Sequence, residues 1–182
     1  VVISADDIDS QTGISTAASG TADGSVTLTS TGNDVDLAGA TDIDGALTVT
    51  AVDSFTQNAT ALNTENDITI TADDFQAGAT TTVQAGKMTV TVTNDSVLTG
   101  DTTVTGGGLT ITQSGGADQT VTFGGEAASL VVDNDISITA QNVVTDEIST
   151  VAGNVTITAA NDITIDAATG AATTTDVSGN LT

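Results

Sequence analysis

Gly45-Ala46-Leu47-Thr48-Val49-Thr50 returns as Asn66-Asp67-Ile68-Thr69-Ile70-Thr71, as Gly86-Lys87-Met88-Thr89-Val90-Thr91 and as Gly107-Gly108-Leu109-Thr110-Ile111-Thr112. A turn-forming residue and a spacer lead each time into apolar-Thr-apolar-Thr. Such alternation puts successive side chains on opposite faces of an extended strand, one face buried and one wet. Further full copies begin at Gly24 and Gly153 and looser ones at Ala128 and Gly179, so the phrase comes back every 20 to 26 residues. That period belongs to solenoid repeats.

A second element follows each phrase, headed by Asp34, Asp53, Asp74, Asp95, Asp118, Asp135 or Asp162. Its apolar residues are Val35, Phe55, Phe75, Val97, Val121, Ile136 and Ile163, and Asp6-Asp7-Ile8 is an N-terminal copy. Thr-rich runs at Thr80, Thr102 and Thr173 supply a third side. The expected fold is all-β: a parallel β-solenoid (β-helix) of about eight rungs of roughly 20–27 residues, one domain over residues 1–182. Coiling stacks like on like, so Val26, Leu47, Ile68, Met88, Leu109, Leu130 and Val155 are expected in one interior column, with Phe55 over Phe75 beside it. Each buried aliphatic side chain contributes roughly 1.5–3 kcal/mol. A β-sandwich and a disordered chain are the alternatives. The periodic strand chemistry argues against the first, and the 38% hydrophobic content in alternating runs argues against the second.

Net charge is −23, Lys87 is the one basic side chain, and His, Cys and Pro are absent. A polyanion repels nucleic acid and anionic headgroups, so neither is an expected partner. No stretch has the roughly 18 apolar residues of a membrane span. Without His, Cys or Arg the usual general bases, nucleophiles and oxyanion donors are missing, and no catalytic residue is expected. The chain closes on Gly179-Asn180-Leu181-Thr182 and opens on Val1-Val2-Ile3-Ser4, which together read as one more copy. Continuation into another copy or a longer parent is therefore expected, with copies of itself as partners.

Two columns carry candidate chemistry. Thr27, Thr29, Thr48, Thr50, Thr69, Thr71, Thr89, Thr91, Thr110, Thr112, Thr156 and Thr158 form an outward ladder, broken at Val131 and Asp133. Thr-x-Thr ladders of this kind resemble the flat face of β-solenoid antifreeze proteins. A plain solvated strand reads equally as Thr, a good β-former. The acidic groups Asp34, Asp36, Asp42, Asp44, Asp133 and Asp135 are candidate metal ligands, Ca²⁺ being the one cofactor that their hard oxygens suit. Turn carboxylates accepting backbone N–H groups are the competing reading.

The repeats, Gly153-Asn154-Val155-Thr156-Ile157-Thr158-Ala159-Ala160-Asn161-Asp162-Ile163-Thr164-Ile165 above all, resemble those of filamentous-haemagglutinin-type exoproteins and other β-strand-repeat bacterial surface proteins. The resemblance implies a right-handed β-helix, secretion, an extracellular or cell-surface location, and an adhesive or structural shaft with a glycan or other surface ligand as a further partner. It transfers no functional residue.

Overall fold

A computed structural model describes residues 1–16, 24–58, 61–124, 129–145, 148–150, 152–165 and 176–177. Within them the chain is all β, winding as a parallel solenoid of about seven turns, with no helix. The first pass holds β1 (Val2–Ala5) and β2 (Ile8–Ser10), and Ser15 bridges to Asp42 where a third strand would lie. The next passes hold β3 (Val26–Ser30), β4 (Val35–Leu37) and β5 (Thr41–Ile43), then β6 (Leu47–Thr50), β7 (Ser54–Gln57) and β8 (Ala61–Thr64). β9 (Ile68–Ala72), β10 (Asp74–Ala77) and β11 (Thr80–Val83) follow, then β12 (Met88–Val92), β13 (Ser96–Leu98) and β14 (Thr102–Val104). The sixth is β15 (Leu109–Gln113), β16 (Thr120–Phe123) and β17 (Leu130–Val132). In the last two, one long strand turns the first corner: β18 (Ile136–Thr145) with β19 (Ile148–Thr150), and β20 (Val155–Ile165) with β21 (Asp176–Val177).

Every pairing between these strands is parallel and joins neighbouring passes, which makes three faces around one core. On the first face Val26, Leu47, Ile68, Met88 and Leu109 stack as expected, followed by Ile136 and Val155. Leu130 is a correction: it lies on the third face, in register with Thr102 and Ile148. Asp135 and Ile136 accordingly open a first-face strand, not a second-face one. On the second face Ser96, not Val97, takes the interior place beneath Phe75, because Leu98 two residues on is also buried. The copy at 179–182 lies outside the described residues.

Phe55 and Phe75 stack at 5.4 Å between ring centroids and 11° between planes, both buried. The glycine that heads the repeat has a steric cause at Gly107. A Cβ there would strike the carbonyl of Gly86 in the pass before, so these two passes approach as they do only with no side chain at Gly107. The longer turn Ser114–Gln119 is tied forward, its Ala117 carbonyl accepting the amides of Asn142 and Asn161, both at 3.0 Å.

Candidate functional site

The first face is the most regular surface. Its two outward columns run Val2, Thr27, Thr48, Thr69, Thr89, Thr110, Ser137, Thr156 and Ser4, Thr29, Thr50, Thr71, Thr91, Thr112, Thr139, Thr158. All twelve expected threonines fall here. The break at Val131 and Asp133 does not exist, because the seventh pass contributes Ser137 and Thr139. Within a strand the two columns are about 6.7 Å apart, and successive rungs about 4.8 Å. Underneath, Leu28, Val49, Ile70, Val90, Ile111 and Ile138 are buried and hold the strands flat against the core. No ionisable side chain stands in either column.

The acidic side chains mostly do a different job. Where a strand begins, the N–H of its first residue or of the residue just before it points along the axis toward the pass before, and a carboxylate there accepts it. Asp34 Oδ1 accepts the Ser54 N–H at 2.9 Å and its hydroxyl at 2.8 Å. Asp67 takes the Lys87 N–H (2.9 Å), Asp74 that of Asp95 (3.0 Å) and Asp95 that of Thr120 (2.7 Å). Asp101 takes the Ser129 N–H (2.9 Å) and Asp135 that of Asn154 (2.8 Å). Ser25 does the same with a neutral hydroxyl for Ala46, and Thr16 accepts the Asp44 N–H just past the end of β5. In each pair the acceptor belongs to the earlier pass. Asp67 and Asp101 escaped the sequence reading, although an Asp just before a β-forming run, Ile68-Thr69-Ile70 or Thr102-Thr103-Val104, was the available signal.

The six metal candidates are thus dispersed. Asp34 and Asp135 are engaged with backbone, Asp42 points outward above Asn63, and Asp44 and Asp133 stand in separate turns. Among the described residues no group of three or more acidic side chains is placed to hold a metal ion. Asp36 faces Asp9 in register, and its Oδ1 is buried without a hydrogen-bond partner among the described residues. Burial first, then the carboxylates of Asp9, Asp34 and Asp7, raise the Asp36 carboxyl above its ordinary value.

A carboxyl that holds its proton more tightly when folded opposes folding once ionised. That cost is absent below the ordinary value of 3.8, grows as pH rises through the folded value, and is full at neutrality. Asp36→Asn is therefore expected to raise stability at neutral pH by about 0.5 kcal/mol, the scale of one facing like-charge pair. The gain should vanish as pH falls below about 4. Thermal melts of both proteins at the two pH values check it, and a gain that persists in acid refutes the electrostatic account.

A shallow groove of about 320 Å³ crosses the second face, lined by Ser54, Thr56, Asp74, Gln76, Asp95 and Val97 around the buried edge of Phe75. Its Asp74 and Asp95 are both already bonded to backbone. Set beside family models, curated proteins and solved structures, the chain has no match. The geometry defines a class, the parallel β-solenoid.

Proposed function

We propose that the chain is a shaft module of an extracellular, cell-surface fibre or adhesin, of the filamentous-haemagglutinin-like kind that its repeats resemble. The observation that supports this is the unbroken register of the first face from β1 to β20, which makes a uniform rod about 34 Å long at 4.8 Å per rung. Six of its carboxylates, those of Asp34, Asp67, Asp74, Asp95, Asp101 and Asp135, join one rung to the next. Further rungs, from the same polypeptide or a second copy, fit the two terminal passes by chemistry: Ile157 matches Ile3, Ala159 matches Ala5, and Ile163 matches Ile8. Ile3, Ile163 and Ile165 are exposed in the single chain. Electron micrographs across a concentration series test the reading. Rods of constant width, lengthening with concentration, are expected. Particles of one short length at every concentration would remove end-to-end assembly, and turnover of a polysaccharide would remove the structural role altogether.

A second reading is favoured by one observation, the continuity of the hydroxyl array through Ser137 and Thr139. A flat lattice of hydroxyl and methyl groups at fixed spacing is a surface on which water orders, and ice is the ligand it suits. Thermal hysteresis that Thr69→Tyr abolishes, with an unchanged melting temperature, is the expected result if this reading holds. Absence of hysteresis at millimolar protein ends it.

A further inference from the structure

The acidic residues leave one strip of the rod bare. Among the described residues no carboxylate side chain lies in the two outward columns of the first face, and every rung of that face shows only Thr, Ser or, at Val2, a methyl surface. Elsewhere the outward positions include Asp9, Asp36 and Asp42 in register columns of the second and third faces. One rim of the bare strip, just before its strands begin, carries Asp67, Lys87 and Asp135. Lys87 is the chain's single cationic side chain; it is exposed and forms no ion pair among the described residues.

We propose that this strip is a lateral docking surface for a second copy of the same chain, face against face, with Lys87 of each copy set toward the acidic rim of the other. The inference rests on the shaft reading and adds side-by-side bundling to it. Three physical points select a second copy as the occupant. Two polyanions approach each other at least cost through the one surface that carries no charge. Identical in-register columns of small side chains interdigitate as paired sheets do in a steric zipper. A lone lysine on the rim calls for a partner that is acidic beside an uncharged strip, and the chain itself answers that description.

Size sets the strength. The strip is roughly 34 Å by 12 Å, or about 400 Å² on each copy, half of the roughly 800 Å² per partner in a stable complex. One chain therefore pairs weakly, and pairing strengthens with the number of rungs aligned. Long-range repulsion must also be screened, over a Debye length of about 30 Å at 0.01 M salt, about 8 Å at 0.15 M and about 3 Å at 1 M.

Sedimentation velocity on the whole chain at those three salt concentrations tests the proposal, alongside micrographs of the rods. Expected are monomers in low salt and dimers in high salt. The double variant Thr48→Asp with Thr89→Asp should lower the association constant at least tenfold. Thr122→Asp, outward on the second face, should leave it unchanged, and melting curves report that all variants fold. Lys87→Glu should weaken association in 0.15 M salt more than in 1 M, where the rim contact is screened. Absence of dimers at every salt concentration, or dimers indifferent to the Thr48 and Thr89 charges, overturns lateral docking. Thermal hysteresis without association also overturns it and gives the strip to ice. Single unbundled rods in the micrographs would defeat this inference while leaving the shaft in place; compact particles would defeat both.

Discussion

Phe75→Ala is expected to lower the unfolding free energy by about 3–5 kcal/mol, the range for removing a buried aromatic ring. Phe75 is the hub of the second face. It lies over Phe55 on one side and Ser96 on the other, and almost none of it reaches solvent. Ser96 is small and its hydroxyl is buried without a partner among the described residues, so it cannot fill the space that the ring vacates. Nor can the passes close up, since their spacing is fixed by backbone hydrogen bonds on all three faces. The cavity therefore persists, which argues for the upper part of the range. Chemical denaturation monitored by circular dichroism measures it. A loss below about 1 kcal/mol would mean that the stack of Phe55 on Phe75 does not exist.

The second large effect comes as a pair of opposite sign. Gln113 is buried, yet its amide is fully used: Nε2 donates to the Thr93 carbonyl at 3.2 Å, and Oε1 accepts the Gln141 N–H at 2.8 Å. It thereby ties the fifth, sixth and seventh passes at the first corner. Gln113→Leu keeps much of the volume but strands a carbonyl and an N–H, at about 1–3 kcal/mol each, so a loss of about 3 kcal/mol is expected. Gln57 is also buried, but neither its nitrogen nor its oxygen has a partner among the described residues. It stands between Leu37 and Ala77 in a column of apolar side chains. Gln57→Leu is expected to raise stability by about 1–2 kcal/mol, because an amide with unmet bonding capacity is replaced by a side chain that needs none. Equal effects of the two substitutions in the same denaturation assay would refute this assignment.

Much of this architecture was legible from residues 24–112, where the apolar-Thr phrase keeps its spacing and each strand lands on the expected face. Legibility failed at the sixth and seventh passes for a physical reason. An Asp before a strand accepts an N–H from the next pass on any of the three faces, as Asp67, Asp95 and Asp101 do. An Asp head therefore marks a strand without saying which face it belongs to, and Asp135 was read as the head of a second-face strand. The extra turn Ser114–Gln119 shifted the phase at the same place, and Thr120 instead of Asp118 opens the strand that follows. Leu130-Val131-Val132 is apolar throughout, so its pattern did not reveal which residues face inward. Of the candidate sites, the Thr array was visible because alternation dictates it. The role of Gln113 was not, since its two partners lie 20 and 28 residues away.

The carboxylate clasps all lean one way, from an earlier pass to a later one, and this gives the stack an electrical sense. A joint made in the same way takes its N–H donors from one surface and its carboxylates from the other. Two such surfaces of the same kind repel or leave donors unmet; unlike surfaces satisfy each other. A splice between two of these rods is thus obliged to preserve direction, as in a chain of arrows, and a filament built from them has distinguishable tips.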